Sequence, residues 1–329
     1  MDSLQLVRQA NAAVRQRRRK LVAVFVGGTS GIGEATAKQL AKTIESPTLY
    51  IVGRNASSGS RILKDLQALN PRGNFEFIKS DVSLLREVDT TCQAIKQKES
   101  VVNLLFMTPG HLATRKNDTV EGLDNNHVLR YYARMRFIHN LLPELKAAEI
   151  PARVISVLAA GKEGEIDESN FDLQVSFSFG TAATYGATMN SLAMEYLATQ
   201  HPSVSFIHVF PGVVRTPLMK ASFGYLLGSV IGLVTRLMAI SEQESGERNV
   251  FIATSPAYPP VARAAKSIDG VNVAISSMGK VGGGSYLLNY DGKDVTNQKL
   301  MEGYRDKGYS TKLWDHTLDV FERVLGSNA

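Results

Sequence analysis

The chain has 329 residues, of which 44% are apolar and 21% are charged, and this composition excludes a disordered or fibrous protein. Lysine and arginine (37) outnumber aspartate and glutamate (31) by six, which is too small an excess to argue for a nucleic-acid partner. The single cysteine, Cys92, excludes a disulfide within the chain and favours a reducing compartment, so we expect a cytoplasmic protein.

Short apolar runs alternate with longer helical patterns after a basic leader at residues 1–20, itself expected to be helical. Strands are predicted at residues 21–26, 49–52, 75–78, 101–107, 153–158, 204–210 and 285–289, and helices at residues 33–43, 61–69, 84–97, 125–147 and 184–199. Strands that are apolar on both faces and alternate with helices indicate a parallel sheet covered on both sides. We therefore predict one doubly wound α/β domain of the Rossmann type over residues 21–329.

An apolar stretch at residues 223–238 is interpreted as part of a lid, near residues 217–240, over a bulky apolar substrate. A helix lying on a membrane surface is the alternative. Thr235 and Arg236 interrupt the stretch before it reaches the ~18 apolar residues of a span, so no membrane contact is expected. The histidines and Cys92 lack the spacing of metal ligands, and no metal site is predicted.

A glycine-rich loop joins the first predicted strand to the first helix, with the sequence Gly27-Gly28-Thr29-Ser30-Gly31-Ile32-Gly33. Glycines there allow a tight turn and a close approach of the backbone to a pyrophosphate. The start of the following helix adds free N–H groups and a positive dipole end. The loop therefore predicts a dinucleotide site.

The second predicted strand ends in Gly53-Arg54-Asn55. An NAD site places an aspartate or glutamate at this point to bind the ribose 2′-hydroxyl. Arg54 instead suits a 2′-phosphate, because a guanidinium pairs well with phosphate oxygens. The predicted cofactor is NADP(H), with Arg54 and Asn55 beside it.

These motifs, in this order, resemble the short-chain dehydrogenase/reductase family over most of the chain up to about residue 216. The loop matches the family's TGxxxGxG pattern, with Val26 in place of threonine. The resemblance implies further cofactor contacts from segments after the third, fourth and sixth strands. They are Asp81 and Val82; Thr108, Pro109 and Gly110; and Pro211, Gly212, Val214 and Thr216.

Only one of the family's four catalytic positions is kept. The helical asparagine falls on Arg130, the serine on Ala159, and the Tyr-x-x-x-Lys pair on Tyr185 and Met189. The family lowers the pKa of its tyrosine with the lysine, and the absence of that lysine disfavours ordinary carbonyl reduction.

The pattern resembles a divergent group of fungal secondary-metabolism reductases, and Arg130 with the acidic loop at residues 165–168 is similar to the bifunctional reductase/Diels–Alderases of prenylated indole alkaloid pathways. An iminium acceptor needs no delivered proton, because hydride addition gives a neutral amine. Asp167 is the first candidate to stabilise such a cation and Glu165 the second. Arg130 is expected to bind a substrate carbonyl or amide oxygen, and Tyr185 to donate a proton, or to stack or hydrogen-bond at the site.

The leading prediction is an NADPH-dependent reductase of a bulky, apolar secondary metabolite, acting at an iminium-like group. The same prediction includes an optional second activity, in which the reduction is coupled to an intramolecular Diels–Alder cyclisation. A cofactor-bound cyclase without net redox and a Rossmann-type binding protein without chemistry remain the alternatives. The sequence predicts no nucleic-acid partner and leaves a homo-oligomer open.

Overall fold

The computed structural model describes residues 4–17, 20–111, 115–150, 152–175, 177–215, 239–263, 265, 267–268 and 270–326. Its strands are β1 (Lys20–Val26), β2 (Ser46–Gly53), β3 (Asn74–Lys79), β4 (Leu104–Met107), β5 (Arg153–Val157), β6 (Ser205–Phe210), β7 (Ser267–Ile268), β8 (Val271–Asn272) and β9 (Ser285–Asn289). Within the described residues, seven strands form one parallel sheet in the order β3-β2-β1-β4-β5-β6-β9. β7 and β8 form a separate antiparallel pair.

The helices flank this sheet on both sides. They are α1 (Leu4–Arg17), α2 (Gly31–Thr43), α3 (Ala56–Leu69), α4 (Leu85–Lys96), α5 (Asn125–His127), α6 (Ala133–Lys146), α7 (Phe179–Gln200), α8 (Glu242–Thr254), α9 (Gln298–Asp306) and α10 (Tyr309–Leu325). The predicted doubly wound architecture is confirmed, and so is a last strand at Ser285–Asn289. In the described part of the chain, no helix has the length and apolarity to cross a membrane.

Two apolar layers, one on each face of the sheet, form the core. Alternate residues of β1 point to opposite layers, with Val24 in one and Phe25 in the other. α4, α6, α7 and α10 cover the first face, and α1, α2, α3 and α8 cover the second. This alternation is the reason that the strands are apolar throughout.

The basic leader forms a helix, as predicted, and α1 packs against α8. Val7 is buried, and the Asn11 Nδ2 atom donates to the Glu247 carbonyl at 2.8 Å. The Arg8 Nε atom is 2.8 Å from the Glu247 carboxylate. α1 is therefore part of the core layer, and not a free extension; the side chains of residues 15–19 lie outside the described part.

The helix predicted at residues 125–147 has a break in its regular pattern. After α5, residues Val128–Tyr132 are π-helical, and α6 follows. The Arg134 Nε atom donates to the Leu129 carbonyl at 3.0 Å, so a side chain replaces part of the backbone ladder. This wider turn lies beside the ends of β4 and β5.

Capping residues explain why two helices begin earlier than predicted. α3 begins at residue 56, five residues earlier than predicted, because the Asn55 side chain accepts from the Ser58 N–H. α7 begins at residue 179 because Ser178 accepts from the Thr181 N–H in the same way. The predicted lid at residues 217–240 lies almost wholly outside the described residues.

Candidate active site

The glycine-rich loop lies at the carboxyl end of β1. Gly27 has φ +86° and Gly31 has φ +56°, conformations that side chains rarely adopt. A Cβ on Gly33 would lie 2.4 Å from the Gly27 carbonyl oxygen and 2.9 Å from Thr108 Oγ1. The loop can close onto the start of α2 only because no side chain intervenes.

The carboxyl ends of β1, β2 and β4 are in register, with Val26 opposite both Val52 and Met107. A cleft of about 360 Å³ opens above them. The residues predicted to bind the cofactor supply most of its lining: Gly27, Thr29, Ser30, Gly31, Ile32, Arg54, Asp81, Val82, Thr108, Pro109 and Gly110. The structure therefore places residues from four separate segments around one cleft, and their contact with a cofactor stays a prediction.

The remaining predicted cofactor residues are placed differently. Gly33 lies beneath the loop, and the Asn55 side chain is used to cap α3. Pro211, Gly212 and Val214 follow β6 and do not line this cleft. Thr216 lies outside the described residues.

The lining offers donors that fit a phosphorylated dinucleotide. Ser30 begins α2 without a side-chain capping bond, which leaves its hydroxyl at the cleft beside the first N–H groups of the helix. Arg54 is exposed at the end of β2, and no carboxylate of the described residues forms an ion pair with it. Asp81 lies at the next strand end, where one carboxylate oxygen accepts from Ser83.

Arg130 lies in the π-helical turn and is 6% exposed. Its Nε atom donates to Asn126 Oδ1 at 3.0 Å, and its two terminal nitrogens make no hydrogen bond to a described residue. The Asn126 Nδ2 atom is buried and also has no partner there. Burial lowers the pKa of the Arg130 guanidinium, which nearby Asp124 opposes. Within the described residues, the terminal nitrogens of Arg130 and the Nδ2 atom of Asn126 are therefore donors without acceptors.

Tyr185 lies on α7 one residue before Gly186, where the Arg130 side chain packs. Its hydroxyl accepts a hydrogen bond from the Asp167 N–H at 2.9 Å. That bond uses an oxygen lone pair and leaves the phenol proton available to donate. Met189, one turn later, is fully buried in the apolar layer, so no ammonium occupies the lysine position of the family.

The acidic loop after β5 exposes its carboxylates to solvent. Asp167 is exposed, and its Oδ1 atom accepts from the N–H and the hydroxyl of Ser169. These hydrogen bonds lower the pKa of Asp167. Glu165 is exposed on a separate cleft of about 560 Å³, beside Tyr304 and Tyr309.

A buried polar chain, which the sequence did not reveal, fixes the start of this loop. The Ala159 N–H donates to His208 Nε2 at 3.0 Å, so the other ring nitrogen carries the proton and faces Ser191 Oγ at 2.8 Å. Ser191 donates to Glu163 Oε1 at 2.6 Å. Burial lowers the pKa of His208 to about 3, which keeps the ring neutral.

Glu163 is the charged end of that chain. Its side chain is 1% exposed, and Oε2 has no partner among the described residues. Burial raises the pKa of Glu163 above 4.5, although the Ser191 bond opposes the shift. The folded protein therefore holds the proton more tightly than the unfolded chain does.

Glu163→Gln is expected to change how stability depends on pH. Above about pH 4.5, Glu163 is ionised in the unfolded wild-type chain but still protonated in the folded protein. The free energy of unfolding of the wild type therefore falls as the pH rises, until the pH passes the raised pKa. Glutamine keeps an acceptor oxygen and cannot ionise. The free energy of unfolding of the variant, relative to that of the wild type, should rise by about 1.4 kcal/mol for each pH unit across that window. Urea unfolding at several pH values measures this, and parallel profiles for the two proteins would contradict it.

Arg134, on α6, is a second residue that the sequence analysis did not single out. It is 1% exposed, and its hydrogen bonds all go to uncharged groups. The acceptors are the Ser156 hydroxyl and the carbonyls of Met107, Pro109, Leu129 and Val157. Burial, with a smaller effect of Arg130, lowers its pKa to about 9, so the group stays protonated at neutral pH.

His111 also lines the cofactor cleft, directly after Gly110. Burial and the charges of Arg54 and Arg130 lower its pKa. The sequence offered one indication of this, because His111 follows the fourth predicted strand and the strand ends meet at the cleft. Among the described residues no cluster of histidine, cysteine and carboxylate side chains has the geometry of a metal site.

The chain is similar to known proteins of one family. The family model "short chain dehydrogenase" matches residues 21–224. The oxidoreductase andH of Emericella variicolor is 45% identical over 333 residues, which cover 99% of both chains. The short-chain dehydrogenase/reductase SAT2 of Stachybotrys chartarum is 34% identical over 353 residues, covering 100% of this chain and 99% of that protein.

Solved structures share the fold at low sequence identity. YwfH, described as an NADPH-dependent reductase involved in bacilysin biosynthesis, has a TM-score of 0.57 at 18% identity. The match covers 81% of this chain and 98% of YwfH. The L-sorbose reductase of Gluconobacter frateurii, complexed with NADPH and L-sorbose, has a TM-score of 0.55 at 18% identity, covering 72% of this chain and 91% of that chain.

Proposed function

Because this chain belongs to the short-chain dehydrogenase family, we propose that it is an NADP(H)-dependent reductase of a small molecule. The observation that carries the proposal is Arg54, which lines the glycine-loop cleft at the end of β2 where an NAD enzyme has an acid. Arg54 and the Ser30 hydroxyl would hold the 2′-phosphate, and the start of α2 the pyrophosphate. When bound, NADPH supplies the hydride.

The substrate accepts that hydride without a lysine-assisted tyrosine. The Arg130 and Asn126 donors favour a carbonyl conjugated to a carbon–carbon double bond. Addition at the β carbon moves an electron pair to the carbonyl oxygen, and a buried guanidinium stabilises that oxyanion. A proton from water then adds at the α carbon, and the Tyr185 phenol, whose proton is not used within the described residues, can donate a hydrogen bond to the substrate.

Reduction of an iminium, the acceptor predicted from the sequence, is the second candidate. It also needs no acid, and the depressed pKa of Asp167 supplies a permanent carboxylate in the neighbouring loop. The positive charges of Arg130 and Arg134 oppose a cationic substrate, which is why we place the conjugated carbonyl first. The substrate's wider identity, a bulky apolar secondary metabolite, remains the prediction made from the sequence.

Loss of NADPH absorbance, with products followed by mass spectrometry, tests this function on panels of conjugated ketones and cyclic iminium compounds. Consumption of NADPH with matching reduced product supports the proposal. Product formed without NADPH consumption would support the cyclase alternative, Diels–Alder cyclisation included. Cofactor binding with no turnover of any panel member would support a binding protein.

Arg54→Gln is expected to weaken NADPH binding by about 1.5–3 kcal/mol, or one to two decades in Kd, while NADH binding changes little. The reason is that only the 2′-phosphate distinguishes the two cofactors. Calorimetric titration of each cofactor measures both constants. Arg72→Gln, which removes an exposed arginine paired with Glu45 at the far end of α3, is the matched control. Equal affinities of the wild type for NADPH and NADH would sink the assignment.

A further inference from the structure

Arg134 is a buried cation, and no carboxylate of the described residues forms an ion pair with it. Within the described residues its hydrogen bonds go to four carbonyls and one hydroxyl. The charge that helps to lower its pKa is that of Arg130, another cation. A buried charge that is hydrogen-bonded but not neutralised projects its potential into its surroundings, since little water screens it.

Two of the hydrogen bonds show where the Arg134 charge lies relative to the cofactor cleft. Arg134 Nη2 is 2.6 Å from the Pro109 carbonyl, and Nε is 3.0 Å from the Leu129 carbonyl. Pro109 and Leu129 both line the cofactor cleft. The guanidinium therefore lies one layer of backbone beneath the cleft, at the carboxyl ends of β4 and β5.

We propose that Arg134 sets a preference of the site for the reduced cofactor over the oxidised one. The phosphates are common to NADPH and NADP⁺, and only the oxidised nicotinamide ring carries a positive charge. A fixed cation below the cleft disfavours that ring charge. The inference rests on the proposed function, because it assumes that the cleft binds this cofactor.

The other charged groups around Arg134 do not cancel its effect. Arg130, on the π-helical turn, adds to it. His208, on β6, is neutral because burial and Arg134 itself lower its pKa. Asp124 acts on Arg130, and it is not among the charges that act on Arg134. At an effective dielectric constant of about 20, two unit charges roughly 10 Å apart change a binding constant by about tenfold.

The test is calorimetric titration of the wild type with NADPH and with NADP⁺ at neutral pH. NADPH is expected to bind about tenfold more tightly. Failure of the wild type to bind either form would overturn the proposed function and this inference with it. Binding of both forms with equal Kd, or tighter binding of NADP⁺, would overturn this inference alone, and neither result depends on the folding of a variant.

A pair of variants separates charge from hydrogen bonding. Arg134→Gln and Arg134→Lys both lose the guanidinium fork, but only lysine keeps the charge, so glutamine should bring the two Kd values together and lysine should keep most of the difference. Arg153→Gln is the matched control, because Arg153 is a buried, carbonyl-bound arginine at the opposite end of β5. An unchanged Kd ratio in folded Arg134→Gln would also overturn the inference.

Discussion

Replacing Arg130 with glutamine is expected to lower kcat for a conjugated ketone by about 10²–10³-fold, with a smaller change in KM. Negative charge develops on the substrate oxygen only as the hydride is accepted, and the guanidinium stabilises that charge. Its loss therefore raises the activation free energy more than it weakens substrate binding. Steady-state kinetics with a conjugated ketone measure the effect. Arg130→Lys keeps the charge and should retain part of the rate, and Lys146→Gln, at the exposed end of α6, should retain all of it.

Asp167→Asn and Tyr185→Phe complete this experiment. Under the conjugated-carbonyl proposal both variants keep most of the rate, because an asparagine side chain can still cap the turn at residues 168–170 and the proton goes to carbon. An iminium reductase would give another pattern, with Asp167→Asn reduced by about 10²-fold or more and Arg130→Gln active. Collapse of turnover in Tyr185→Phe alone would return the enzyme to carbonyl reduction by a tyrosine without its lysine.

Gly33→Ala is expected to lower kcat/KM on the order of 10²-fold and to weaken NADPH binding. The new methyl group would lie 2.4 Å from a backbone oxygen, which cannot rotate away as a side chain can. The loop must open by enough to displace the phosphate donors. Overpacking of this kind also costs about 1–3 kcal/mol of folding stability. Kinetics, calorimetry and urea unfolding of the purified variant check the three effects.

Gly303→Ala provides the control for that substitution. Gly303 is also helical, in α9, and a Cβ there would meet no atom within 4 Å. Alanine should stabilise this helix by up to about 1 kcal/mol and leave NADPH binding unchanged. Normal cofactor affinity in Gly33→Ala would mean that the loop tolerates the methyl group and does not form the phosphate site.

The sheet and the cofactor cleft could be predicted because their signals are local. Apolar runs mark the buried strands, and the turn at residues 27–33 needs glycine for steric reasons that any sequence must obey. The signal from Arg54 is also local, since its guanidinium and its place after a strand predict a 2′-phosphate ligand, and that contact stays a prediction. Because strands and helices alternate along the chain, the sheet is parallel and the carboxyl ends of its strands lie at one edge, where these segments meet.

The catalytic groups were harder to predict because side-chain direction depends on packing. Arg134 stands in a helical stretch where an arginine normally faces solvent, and only the π-helical turn directs it under the cleft. Glu163 was not chosen from the sequence, although its side chain is buried and those of Glu165 and Asp167 are exposed. The acid chosen from the sequence, Asp167, accepts hydrogen bonds from the N–H and the hydroxyl of Ser169, as aspartate side chains often do with residues two positions later in turns.

The contact between α1 and α8 also orders events during protein synthesis. Asn11 and Glu247 are 236 residues apart, so at about 5–20 residues per second a ribosome needs roughly 10–50 s to make the partner of a helix that it has already released. A helix of 14 residues is only marginally stable alone in water. The apolar side around Val7 therefore lacks its partner on α8 throughout that interval, and the packing of a helix that precedes the whole sheet is completed only after most of the chain has been made.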